Sequence, residues 1–165
     1  MRALDLIPVN HSLSARLAAG EAVEPFAGTI VPPVVQEVAA AQGALYEKTG
    51  AAPPWIGYLA RDRDSGLLVG ACSFKDEPHE GQVEIAYFTF SEHEGQGYGF
   101  AMAANLVEVA FQNPSVTRVL GHTLPERNAS ARIFSKLGFE FAGPVTDPED
   151  GTVWRWVLKQ PRASQ

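Results

Sequence analysis

A single cysteine, Cys72, among 165 residues removes the intramolecular disulfide from the means of stabilising this chain. It stands between Ala71 and Ser73 in an apolar run, where a small core hydrophobe is expected. No apolar stretch approaches the roughly 18 residues of a membrane-crossing helix, so no membrane partner is expected. Met1 to Pro8 lack the long apolar core and small-residue cleavage site of a secretory signal, which places the expected location in the cytoplasm. Basic blocks are missing too: a net charge of −6 and a pI near 5.2 are spread along the chain, against a nucleic-acid partner. The histidines His11, His79, His93 and His122 are too dispersed, and too poorly matched by cysteine or acidic partners, to predict a metal site.

What is present suits one globular domain. At 45% hydrophobic residues the chain can bury a core without disulfides or metals, and a domain over residues 1–160 with a loose tail over 161–165 is expected. Leu4 to Val9 reads as a strand, Ser12 to Ala19 as a helix, and Gly20 to Pro33 as a proline- and glycine-punctuated loop. A second helix follows over Val34 to Lys48, stopped by Gly50. From Trp55 the period becomes that of strands: Trp55 to Arg61, Leu67 to Lys75 and Gln82 to Phe90, with polar turns between them. Tyr98 to Phe111 is a predicted helix, Val116 to His122 a strand, Asn128 to Leu137 a helix, and Phe139 to Val145 with Thr152 to Leu158 a closing pair of strands. The order predicts an α/β fold of the α+β kind, a mixed and mostly antiparallel sheet flanked by helices. Gln82 to His122 would be its one parallel crossover. Along the last strand Trp154 and Trp156 alternate with Arg155, one face core and the other toward solvent or an acidic substrate.

The sharpest local signal is Glu94-Gly95-Gln96-Gly97-Tyr98-Gly99, which joins a strand to an amphipathic helix. Alternate glycines leave the backbone bare, so successive N–H groups can converge on an anion at the positive end of the helix. The same residues also suit an ordinary strand-to-helix turn. The spacing is not the dinucleotide fingerprint, and no Gly-Lys-Ser/Thr follows to make a Walker loop. Upstream stands Val83-Glu84-Ile85-Ala86-Tyr87; downstream stand Pro125-Glu126-Arg127-Asn128-Ala129-Ser130 and Lys136-Leu137-Gly138-Phe139.

With these flanks the chain resembles the GNAT acetyltransferases, and within them the branch that acetylates ribosomal-protein N-termini, over roughly Trp55 to Leu158. The resemblance implies a splayed central strand pair whose freed backbone, at Tyr87 and Thr89, pairs with the pantetheine arm of acetyl-CoA. It implies a pyrophosphate loop at Gly95, Gln96, Gly97, Tyr98 and Gly99, with Asn128 reaching the coenzyme arm. An N–H near Thr89 would stabilise the oxyanion.

The implied activity is N-acetyl transfer to a primary amine, on a small molecule or a protein N-terminus, without a metal. Glu84, the acidic residue of an apolar strand, is the expected base, its pKa raised by burial; the alternative is a solvent-facing residue on an alternating strand. Many relatives protonate the departing thiolate from a Tyr at the position of Phe134, which a phenyl ring cannot do. Ser130 is the expected substitute, or else a helix cap. Glu94 stands where the family often has Arg or Gln. With Phe134, it leaves open a non-catalytic acyl-CoA-binding module. The apolar final strands offer an edge that suits a homodimer.

Overall fold

The computed structural model describes residues 1–161. Of the tail expected over 161–165, all but Pro161 lies outside the described residues. The chain builds β1 (Leu4–Val9), α1 (His11–Ala18), α2 (Val34–Thr49), β2 (Gly57–Asp62), β3 (Leu68–Phe74), β4 (Gln82–Thr89), α3 (Tyr98–Phe111), β5 (Arg118–Thr123), α4 (Ala129–Lys136), β6 (Glu140–Asp147) and β7 (Gly151–Lys159). A 3-10 turn at Ser91–His93 precedes the glycine segment. The order is the one read from periodicity, with ends displaced by one or two residues.

Helix boundaries follow local chemistry. Asn10 caps α1 by accepting from the Leu13 N–H at 2.8 Å, and Asn128 caps α4 by accepting from Ala131 at 2.9 Å. Gly50 closes α2 at φ 65°, a left-handed conformation that glycine adopts without a Cβ penalty.

The strands form one seven-stranded sheet in the order β1-β2-β3-β4-β5-β7-β6. Every neighbouring pair is antiparallel except β4 with β5. That parallel pair is joined by a crossover through α3, as the β-α-β expectation requires. Cores form on both faces of the sheet. On one, Met102 and Leu106 of α3 and Phe134 of α4 pack with Tyr58, Cys72 and Ile85. On the other, Leu17 of α1 and Val35 and Ala39 of α2 pack with Val9, Leu59 and Ala71 of β1 to β3. Cys72 is buried in the first core, and burial pushes its thiol pKa up. The second core takes no residue from β5, β6 or β7. That part of the sheet face therefore stays clear of α1 and α2, and the polar row described below lies on it.

Candidate active site

The parallel pairing of β4 with β5 covers Gln82–Glu84 against Arg118–Leu120 and stops there. Above Glu84 the strands separate, which is the splay the resemblance implies. The orientation of the freed edge follows from alternation. The Glu84 C=O accepts from Lys75 on the β3 side, and the Phe90 N–H donates to Val69 on the same side. Backbone groups at even positions of β4 therefore face β3, and those of Tyr87 and Thr89 face the opening. A cleft of about 720 Å³ occupies the opening, running from Tyr87 and Thr89 past Gly95, Gly97 and Gly99 to Ser130, Arg132 and Lys136.

Each glycine of the loop has its own reason. Gly95 and Gly97 hold φ 75° and 89°, and Gly97 is the N-cap of α3 with no side-chain acceptor on the helix end. The first intrahelical bond runs from the Ala101 N–H to the Gly97 C=O, which leaves the N–H groups of Tyr98, Gly99 and Phe100 at the open positive end. Gly99 sits close to its neighbours: a Cβ there would lie 3.1 Å from Ile133 Cδ1 and 3.4 Å from Tyr87 Cε2. The Gln96 carbonyl accepts from Arg2 Nε at 2.9 Å, which turns the Gly97 N–H to the opposite side of that peptide. The Tyr98 side chain points away from the cleft, buried with its hydroxyl donating to Asp62.

Arg132 and Lys136, one turn apart on α4, supply the cations that the sequence reading did not find near the loop. Glu94 lines the same cleft and is exposed. Free helix N–H groups, two cations and an unpaired strand edge fit a ligand that carries a diphosphate and an amide-bearing arm.

Beneath the cleft a smaller cavity of about 100 Å³ is lined by Lys75, Glu84, Tyr87, His122, Ser130 and Phe134, with Ile85 and Ala86. Glu84 Oε2 lies 3.1 Å from Lys75 Nζ and 3.0 Å from His122 Nδ1. Arg155 Nε donates to His122 Nε2 at 3.1 Å. That contact engages one ring nitrogen of His122 and leaves the other, Nδ1, facing Glu84. Lys75, Glu84, His122 and Arg155 thus form a polar row across β4, β5 and β7.

This row corrects the expected pKa of Glu84. Burial, the largest single influence, raises it. The His122 hydrogen bond and the Lys75 charge outweigh burial and hold the carboxyl below its usual value. Glu84 is thus held as a carboxylate. A depressed native pKa contributes stability above the unfolded-state pKa of about 4.3, lost as pH falls through the native value. The gap in urea midpoint between the wild type and Glu84→Gln should therefore be wide at pH 7 and narrow at pH 3.

Asn128, expected to reach the coenzyme arm, has its side-chain oxygen engaged in capping α4. Ser130 is consequently not the cap; it is half-buried and lines both the cleft and the small cavity. Phe134 is 2% exposed, and its Cζ lies 2.2 Å from where a Cβ on Gly121 would stand. The face of this ring packs over Gly121 of β5, and the ring also lines the small cavity. Tyr87 is the other residue shared by the two cavities. Its hydroxyl is buried beside Ser130 without a hydrogen bond of ordinary geometry.

Sequence reasoning missed Lys75, His122, Arg155, Arg132 and Lys136. His122 and Arg155 are directly opposed in register, but their partnership with Glu84 crosses sequence separations that no local pattern reports. Trp156 is buried and donates from Nε1 to Thr123 at 3.1 Å, in keeping with a core role. Arg155 turns to His122 instead of to solvent.

Similarity to known proteins agrees with the geometry. A kanamycin resistance protein of Rhizobium radiobacter is 35% identical over 66 residues, covering 40% of this chain and 61% of that protein's length. Among solved structures, an aminoglycoside acetyltransferase in complex with coenzyme A aligns over 96% of this chain and 95% of its own, with TM-score 0.64 and 22% identity. The ribosomal-protein acetyltransferase RimL, also in complex with coenzyme A, aligns over 94% and 93% with TM-score 0.65 and 16% identity. At these identities the structures share the fold. Residues 6–140 match the acetyltransferase (GNAT) domain, most of the chain from the first strand to the start of β6. The chain belongs to the GNAT acetyltransferase family.

Proposed function

We propose that residues 1–160 form one acyltransferase domain that moves an acetyl group from acetyl-CoA to a primary amine. The observation that carries this reading is the fork of β4 and β5. There an unpaired strand edge, the open N-terminus of α3 and a fixed carboxylate meet around two cavities that share Tyr87 and Ser130 in their linings. The coenzyme would lie with its diphosphate on the N–H groups at Gly95 to Gly99, between Arg132 and Lys136, and its pantetheine arm along Tyr87 and Thr89. An N–H of that edge is placed to receive the charge that develops on the thioester oxygen.

The amine arrives as an ammonium ion and must lose a proton before it attacks. Glu84, which lines the small cavity, takes that proton directly or through one water. Lys75 and His122 keep the carboxylate ionised and oriented, so it is ready across the neutral pH range. The acceptor is a small-molecule amine or a protein N-terminus, the kinds of acceptor named for the aminoglycoside and ribosomal-protein acetyltransferases of the same fold.

Calorimetry with acetyl-CoA, followed by thiol release over a panel of amines, tests the reading. Binding in the micromolar range is expected, and acetyl-CoA at a hundred times its dissociation constant should stabilise the fold by about 2.7 kcal/mol. The double charge reversal Arg132→Glu/Lys136→Glu should weaken binding by at least about tenfold and flatten its salt dependence. No heat with acetyl-CoA would overturn the proposal. Binding without thiol release across the panel would favour the non-catalytic module.

A further inference from the structure

We propose that Tyr87 is the proton donor to the departing thiolate, its hydroxyl set from strand β4 at the junction of the two cavities because helix α4 carries a phenyl ring at Phe134. The inference rests on the acetyl-transfer reading above.

A hydroxyl buried without a partner is costly and rare in a folded protein. The Tyr87 hydroxyl is such a group. It lies beside Ser130, and Tyr87 and Ser130 are the residues that line both the coenzyme cleft and the Glu84 cavity. The thioester must sit at that junction for an amine beside Glu84 to reach it. Gly99, the last glycine of the loop, sets its Cα against the Tyr87 ring, where a Cβ would stand in van der Waals contact with Cε2 at 3.4 Å. Phe134 packs edge-on to the Tyr87 ring at a centroid distance of 5.8 Å and fixes it from the other side. The ring is thus held between α3 and α4 with its oxygen toward Ser130.

Acidity separates the two candidate donors. A phenol ordinarily titrates near 10 and a thiol near 8.5, so a tyrosine is much the better acid of the two hydroxyls. An aliphatic hydroxyl is a far weaker acid, and Ser130 alone makes a poor donor. Burial, the larger influence on Tyr87, raises its pKa, and Ser130 offsets this in part; the phenol stays protonated at neutral pH.

In the step, the amine nitrogen bonds to the thioester carbonyl carbon. As the C–S bond breaks, sulfur takes the electron pair and the Tyr87 proton, giving the free thiol. The phenolate recovers its proton from the one that nitrogen sheds, passed on through Ser130. One amine proton ends on sulfur, and no external acid is consumed.

The test is Tyr87→Phe in the full chain, with wild-type acetyl-CoA binding and thiol release measured first. If the wild type does neither, the acetyl-transfer reading fails, and this inference with it. Given an active wild type, Tyr87→Phe should lower kcat by about a hundredfold and keep acetyl-CoA affinity within about twofold. Its melting temperature should hold or rise, since an unpartnered hydroxyl has been removed. Tyr87→Phe/Ser130→Ala should lose no more than about threefold beyond Tyr87→Phe, because the two act as a unit. A fluorinated tyrosine at position 87, a stronger acid, should move the basic limb of the kcat pH profile downward. A kcat within threefold of wild type, an affinity loss equal to the kcat loss, or an unmoved basic limb in the fluorinated protein would each overturn the proposal.

Discussion

Glu84→Gln should lower kcat for acetyl transfer by at least about a hundredfold while acetyl-CoA affinity changes less than about threefold, since positioned proton transfer contributes about 10² to 10⁴. The amide matches the carboxylate in shape and can still accept from Lys75 or His122 through its oxygen. It cannot take a proton from an ammonium ion or from a water beside one. Glu84 contacts the small cavity and is absent from the lining of the coenzyme cleft, so the donor's binding should be spared. Steady-state kinetics with the best amine of the panel, paired with calorimetry, separates the two quantities. A kcat within tenfold of wild type would remove Glu84 from the proton path and direct attention to a bound water held by other groups.

A second large effect is expected far from any substrate contact. Gly121→Ala places a methyl group where Phe134 already stands, 2.2 Å from Cζ, 2.5 Å from Cε1 and 2.8 Å from Cε2. The ring has little freedom to yield: its centroid lies 4.8 Å from that of Phe139 and 6.4 Å from that of Trp156, besides its contact with Tyr87. Overpacking of this kind costs about 3 kcal/mol, which for a chain of this size lowers the melting temperature by roughly 6 to 12 °C. Phe134→Leu in the same chain should return much of the loss, because a shorter side chain vacates the space. Calorimetric melting of the single and double variants checks both statements; equal melting temperatures for Gly121→Ala and wild type would contradict the packing described.

The clash at Gly121 also accounts for a sequence observation. Phe134 reads as a departure from relatives that carry a tyrosine there, and on sequence grounds it weakens the case for catalysis. In the folded chain the position is committed to the core. The phenol that the chemistry wants is found on the facing strand at Tyr87, a residue whose expected contribution was its backbone. The exchange was invisible to local pattern because it depends on which of two side chains points into the fork, and that is decided by packing between α3, α4 and β4.

Periodicity and punctuation by themselves determined the order of elements, the parallel crossover, and the strand-to-helix glycine loop with its positive φ values at Gly95 and Gly97. These depend on residues within one turn or one strand of each other, where backbone sterics and the alternation of side chains suffice. The tertiary structure alone decided the ionisation of Glu84. Burial, legible from an apolar strand, argues for a raised pKa. The two donors that reverse the direction come from Lys75 on the chain leaving β3 and from His122 on β5. Charges interact through space with a strength set by distance and local dielectric, and only the assembled sheet brings these groups within 3.1 Å of one carboxylate oxygen.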